Sequence, residues 1–236
     1  MSLKLFVTGT DTGIGKTYVS VGLLNAFNQL GYSTIGLKPV AAGVIEIKDG
    51  LFNEDALELN KASSIKLTYQ QTNPILYKPF ISPNIAAIEA GAELSALEVI
   101  TKNQPSLQLP CDIHVVEGAG GLAVPLNGQE TMIDFVTYYK MTVILVVGLR
   151  LGCLNHTLLT YQAIKQANLP IGGWVVNSFE EHGLAAEGVI ATLKQWLDAP
   201  YLGLVPFGKN PAEVLDINLL AELSAHHHSQ LLTSSS

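Results

Sequence analysis

Short apolar runs recur along this chain, each closed by glycine, proline or polar residues, and most are followed by a helix-compatible stretch. Leu3–Val7 reads as a first strand and Lys16–Leu30 as a helix that Gly31 ends. Ser33–Leu37 resumes a strand before Lys38 and Pro39, completing a β-α-β unit. Residues 41–53 carry Gly43 and Gly50 and predict a long loop; Asn53 can then cap a helix from near Asp55 through Ala62. Pro74, Pro79 and Pro83 lie among aromatics, so 69–83 is expected to be an irregular excursion. A short helix follows at Pro83–Ala90, and Ser95–Lys102 is part of another. Beyond them, apolar strands (Ile113–Val116, Val143–Val147, Ile171–Val176, Tyr201–Val205) alternate with helices (Thr131–Tyr139, His156–Ala167, Ala185–Leu197). Such alternation predicts an α/β three-layer sandwich with a mainly parallel central sheet covered on both faces. No repeat or linker divides it, so residues 1–224 are expected to form one domain and 225–236 a flexible tail.

The bulk composition agrees and narrows the function. A chain of 236 residues with 48% hydrophobic and 14% charged positions can build a sizeable core. Its net charge of −7 argues against non-specific nucleic-acid binding, which needs a basic face. Cys111 and Cys153 have neither metal-ligand spacing nor a disulfide framework, which fits a reducing compartment. The start of the chain has no long apolar signal region and no stretch reaches membrane length, so a cytoplasmic protein without membrane contact is expected. His226, His227 and His228 could hold metal weakly, but an exposed tail is the simpler reading.

The chemistry starts where the first strand ends. Residues 9–17 read GTDTGIGKT, a Gly- and Thr-rich loop entering a helix, and this places backbone N–H groups, a helix N-terminus and one lysine around an anion. The usual phosphate-loop pattern has four residues between its first glycine and Gly-Lys; here five separate Gly9 from Gly15. A nucleotide site on a phosphate-loop nucleoside triphosphate hydrolase fold is expected, with Lys16 reaching the β- and γ-phosphates and Thr17 ligating Mg²⁺. In parallel sheets ligands sit at the carboxyl ends of strands, which singles out the residues just beyond each one. Lys38 is either a surface lysine or a second positive charge for a substrate anion. Glu117, before a run of glycines, can hold Mg²⁺; Asp55 can share that ion or simply favour the helix dipole. Gly152, Cys153 and Asn155 follow the Val143–Val147 strand, and Cys153 has no histidine fixed beside it by sequence to make it a nucleophile. Asn177 could read an adenine edge with its amide.

The blocks VTGTDTGIGKT, KPVAAG, NEDALEL, VVEGAGGLAVPL, VVGLRLGCLNH and GWVVNS, in this order, resemble the dethiobiotin synthetase family from Lys4 to about Pro206. The extra loop residue is part of that likeness. The resemblance implies a homodimeric cyclo-ligase of biotin biosynthesis acting on 7,8-diaminononanoate, CO₂ and ATP with Mg²⁺. Its implied sites put Gly13, Ile14, Gly15, Lys16 and Thr17 around the phosphates, and Thr17, Asp55 and Glu117 at the metal. Thr12, Lys16 and Lys38 would surround the carbamate. Gly118, Ala119, Gly120 and Gly121 would bind the diamine, as would Gly152, Cys153 and Asn155, part of which reaches the neighbouring subunit's site. Asn177 would read adenine, and Pro206, Phe207 and Gly208 would line the other side of the base. Two departures stand out: Gly13 replaces a glutamate and Ala42 a serine of a well-known family form. The first leaves a loop that works through its backbone; the second removes a hydroxyl worth about 1–3 kcal/mol if buried and unmatched. Two other functions share the fold. A dimeric nucleotide-switch ATPase acting on partner proteins typically carries an additional early loop lysine, absent from Thr10–Gly13. Glutamine-dependent amide ligation would need a further domain, and too few residues follow Pro206.

Overall fold

A computed structural model describes residues 2–48, 50–179 and 186–223. The elements in chain order are β1 (Leu3–Gly9), α1 (Lys16–Gln29), β2 (Thr34–Leu37), β3 (Val40–Ala42), β4 (Ile45–Ile47), β5 (Gly50–Phe52), α2 (Glu54–Ala62), α3 (Tyr69–Thr72), β6 (Ile75–Tyr77) and α4 (Pro83–Glu89). They continue with α5 (Ala96–Leu107), β7 (Ile113–Gly121), α6 (Met132–Tyr138), β8 (Thr142–Gly148), α7 (Cys153–Gln166), β9 (Ile171–Asn177), α8 (Ala186–Trp196), β10 (Tyr201–Val205) and α9 (Pro211–Val214). Six strands form one sheet in the order β10-β9-β8-β1-β7-β2, and every pairing in it is parallel. All six strands therefore end at one edge.

Alternate residues of the strands feed two cores, as the period of two in a strand requires. On one face Leu5, Val7, Val115, Ile144 and Val146 pack with Val19, Leu23 and Phe27 of α1 and with Leu59 of α2. On the other, Phe6, Val116, Val143, Leu145 and Trp174 pack with Val99 of α5, Phe135 of α6, Ile164 of α7 and Leu193 of α8. The result is the three-layer sandwich the sequence predicts. Among the described residues no helix is long and apolar enough to cross a membrane.

Two stretches differ from expectation. Residues 41–53 are not a plain loop: β4 and β5 form an antiparallel hairpin, with Ile45 opposite Phe52 and Ile47 opposite Gly50. Its residues are exposed or half-buried, so no apolar run announces them. Residues 69–83 hold α3, which Thr68 and Gln71 open with a reciprocal capping box, and β6, which pairs in parallel with β3. The dense prolines mask both. α5, of which Ser95–Lys102 was expected to be part, runs on to Leu107 with Pro105 inside it. α7 starts at Cys153 rather than His156, on a Gly152 cap with φ 91°. Ala185 and the 225–236 tail lie outside the described residues.

Candidate active site

The edge where the strands end carries the expected constellation, and its loop is held from below. Gly15 caps α1 in the left-handed region at φ 86°, so the unpaired N–H groups of the helix's first turn open onto the loop. Asn177, at the end of β9 and 2% exposed, donates from Nδ2 to the Ile14 carbonyl at 2.8 Å. A Cβ on Gly15 would come within 2.2 Å of that same nitrogen. Ile14 is fully buried, and the close approach at Gly148 leaves only 2.4 Å between a hypothetical Cβ there and Ile14 Cγ2. Loop and sheet thus meet through a glycine, an isoleucine and one amide.

Four charged groups converge beside the loop. Lys38, 4% exposed, places Nζ 2.6 Å from Glu117 Oε1 and 2.8 Å from Asp55 Oδ2, and donates to the Gly118 carbonyl at 3.3 Å. It is not a surface lysine. Thr17 Oγ1 donates to Glu117 Oε1 at 3.0 Å, and Lys16 Nζ donates to the Asp11 carbonyl at 2.8 Å. Burial opposes the charge on Lys38, but Glu117 and Asp55 outweigh it and hold its pKa above the ordinary 10.5. Burial also opposes charge on Asp55; Lys38, Thr17 and Lys16 outweigh it and hold its carboxyl below 3.8. Lys16 goes the other way, pulled down to about 8 by burial and by the Lys38 ammonium against the attraction of Glu117 and Asp55.

The glycines after Glu117 are strand rather than loop. β7 continues through Gly121, which pairs with Gly9, and a Cβ on Gly120 would lie 3.4 Å from Thr12 Oγ1. Thr12 and the glycine run are therefore neighbours. Pro206, Phe207 and Gly208 follow β10, whose last residue, Val205, pairs with Asn177, so they lie beside it and are exposed. Gly152, Cys153 and Asn155 form the N-terminus of α7, with Cys153 buried in the core and Asn155 exposed. An Asp11–Arg150 ion pair ties that segment to the phosphate loop. Neither residue stood out in the sequence, because an aspartate in a turn and an arginine after a strand carry no spacing signal.

Thr17, Glu117 and Asp55 supply hard oxygen donors, the chemistry Mg²⁺ selects. Glu117 Oε2 is buried with no hydrogen-bond partner, an uncompensated acceptor of the kind a cation would satisfy. Among the described residues no three His, Cys, Asp or Glu side chains cluster for a metal.

A family model described as an AAA domain matches residues 3–211. The chain is 46% identical over 207 residues to the ATP-dependent dethiobiotin synthetase BioD of Cellvibrio japonicus, covering 87% of this chain and 90% of that protein. It is 47% identical over 201 residues to the Pseudomonas aeruginosa protein of that name (85% and 88% covered). The chain belongs to the ATP-dependent dethiobiotin synthetase family. A Salmonella typhi synthetase, BioD 1, shares 42% over 214 residues, 90% of this chain and 93% of its own. Among solved structures, the septum site-determining protein MinD of Pyrococcus horikoshii, complexed with Mg-ADP, aligns with a TM-score of 0.55 at 20% identity, over 90% of this chain and 86% of that one. The Pyrococcus furiosus cell division ATPase MinD gives 0.54 at 21%, over 87% and 84%. At such identity the likeness carries the phosphate-loop fold and nothing finer.

In a dethiobiotin synthetase the loop must keep its glycines where a side chain would strike the sheet. Gly15→Ala should raise the KM for ATP by about tenfold or more, since a left-handed alanine costs about 1–2 kcal/mol and displaces Asn177 from Ile14. Steady-state kinetics checks it; an unchanged KM would show that the loop yields freely.

Proposed function

We propose that this chain closes the ureido ring of dethiobiotin, converting 7,8-diaminononanoate, CO₂ and ATP to dethiobiotin, ADP and phosphate. The observation that carries this reading is the second buried ammonium: Lys38, held by Glu117 and Asp55 beside the loop lysine. The additional lysine of a nucleotide switch would stand early in the loop itself, whereas this second cation comes from just beyond β2. Two cations suit two anions, a γ-phosphate and a carbamate next to it.

One amine of the diamine captures CO₂, and the carbamate oxygen attacks the γ-phosphoryl group to give a carbamic–phosphoric anhydride. The second amine then closes on the carbonyl carbon as phosphate leaves. Lys16 and Lys38 stabilise oxygens that gain charge in the transfer, and their fixed positions avoid reorganisation at that moment. Mg²⁺ held by Thr17, Asp55 and Glu117 would add charge neutralisation at the phosphates. Thr12, Gly118, Ala119, Gly120 and Gly121 would position carbamate and diamine over one carbon, so that ring closure is intramolecular. No side chain acts as a nucleophile; Cys153 is 3% exposed and packs in the core. Asn177 would serve adenine from beneath the loop, opposite Pro206, Phe207 and Gly208, as well as holding Ile14.

We further propose a cytoplasmic homodimer in which the Gly152–Asn155 segment reaches the partner's site. Leu151 is 89% exposed beside that segment. The deciding assay follows ADP and labelled dethiobiotin from labelled bicarbonate. Phosphate release that requires both diamine and CO₂ is expected; brisk hydrolysis indifferent to the diamine would overturn the proposal and favour a switch ATPase.

A further inference from the structure

A chain of hydrogen bonds, buried at one end and part-buried along the rest, joins the two residues that flank Glu117. Asn73, 2% exposed, donates from Nδ2 to the carbonyls of Lys38 at 2.7 Å and Ile75 at 3.1 Å. Two acceptors on one side fix which end of the amide is nitrogen, so Asn73 Oδ1 must accept. Its donor is Tyr69 Oη at 2.9 Å. With its proton committed, the Tyr69 oxygen accepts the Asn53 backbone N–H at 2.6 Å. Asn53 in turn caps α2, accepting from Ala56 N at 3.2 Å, and donates to the Gly43 carbonyl at 3.2 Å. Asp55 sits in the first turn of that helix. The direction of every proton in the chain is therefore determined. The Lys38 N–H also donates to the Thr72 carbonyl at 2.8 Å, so the end of α3 and its C-cap residue hold both backbone polar groups of Lys38.

We infer that Tyr69 and Asn73 are positioning residues that set the separation of Lys38 and Asp55, and through it the placement of the Lys38 ammonium at the transferred group. This rests on the ring-closing function proposed above. Both residues have protein groups as their hydrogen-bond partners. They act because Lys38 leaves β2 and Asp55 opens α2, two elements that need a common reference, and the Tyr69–Asn73 pair supplies it. The Tyr69 ring is itself fixed edge-on against Phe52 of the hairpin, with centroids 4.7 Å apart and planes at 79°. Its hydroxyl can therefore be removed without moving the ring. Catalytic groups misplaced by about 1 Å lose about 10²-fold in rate, so a loosened reference should show in turnover before it shows in binding.

Tyr69→Phe is the test, because Asn73→Ala empties a buried amide site and could fail to fold. Its kcat for dethiobiotin formation should fall about tenfold, with the KM for ATP within about twofold because the phosphate loop is untouched. Tyr139→Phe removes a comparable hydroxyl bond, to the Ile100 carbonyl at 3.1 Å, outside this chain of bonds and should leave kcat unchanged. Amide hydrogen exchange on the protein without substrates should quicken in Tyr69→Phe at 36–40 and 53–57 and not elsewhere. Unchanged exchange in those two segments, or equal kcat losses in the two variants, would overturn the inference. A parent protein that makes no dethiobiotin would instead sink the functional proposal, while the exchange result would still decide whether the reference exists.

Discussion

Lys38→Ala should lose at least ~10²-fold in dethiobiotin formation through missing electrostatic stabilisation, and should also lose about 3–5 kcal/mol of stability, as when one partner of a buried ion pair is removed. The second effect follows from burial. Glu117 is 1% exposed, and Lys38 is its cationic partner at 2.6 Å. Alanine would leave that carboxylate facing Asp55 with only the Thr17 hydroxyl bonded to Oε1. The pH dependence supplies a second check. The native Asp55 carboxyl is depressed below 3.8, so its share of stability is present above about pH 4 and is lost as pH falls through the lower value. Without Lys38 that acid-side loss should disappear, so the variant's deficit against the parent should hold down to about pH 4 and shrink below it. Denaturant melts at pH 7, at pH 4 and about one unit lower measure this. A triple variant adding Asp55→Asn and Glu117→Gln should recover stability but no activity. A single variant as stable as the parent would show that water, not Lys38, compensates Glu117.

Much of this arrangement was legible because its signals are local. Strand, glycine loop and Gly15-Lys16-Thr17 sit consecutively, and the rule that parallel strands bind ligands at their carboxyl ends located Lys38 and Glu117 without knowledge of strand order. Asn53 showed itself as a helix cap, because capping depends on residues only a few positions apart. What stayed hidden depends on contacts distant in sequence. Lys38 and Glu117 are 79 residues apart, and only the β2–β7 pairing makes them a salt bridge. Asn177 looked like a base reader from its place after a strand; its bond to Ile14 spans 163 residues and has no sequence trace. The Tyr69–Asn73 reference was lost for a different reason. Three prolines suggested an irregular path in a stretch whose Thr68–Gln71 capping box was readable, and Pro74 merely starts the turn into β6. The hairpin at 45–52 lacked a buried face, so the periodicity that reveals core strands was absent there.

Lys16→Met should separate function from stability more sharply than any other single change. Activity should fall at least ~10²-fold, because the phosphates lose their loop cation. The fold, however, should become more stable at pH 7. The Lys16 ammonium is 6% exposed, with a pKa drawn from 10.5 to about 8, so the native state holds this charge against burial and against Lys38. Each pKa unit corresponds to about 1.4 kcal/mol, which makes the strain about 3 kcal/mol. Losing the 2.8 Å bond from this charged donor to the Asp11 carbonyl offsets about 1.5–3 kcal/mol of it, leaving a net gain of up to about 1.5 kcal/mol. The sign with pH follows from proton counting. Between about 8 and 10.5 the unfolded chain binds the Lys16 proton and the folded one has released it, so the parent gains stability as pH rises. Methionine removes that slope. The variant's advantage should be full below pH 8 and vanish toward pH 10.5, where both native states are neutral at this position. Chemical denaturation of both proteins at pH 7, 9 and 10.5 reads the difference directly, other titrating groups cancelling between them. A methionine variant less stable than the parent at pH 7 would mean that the Asp11 contact, not the burial of charge, dominates at Lys16. The functional site would then be stabilising rather than strained.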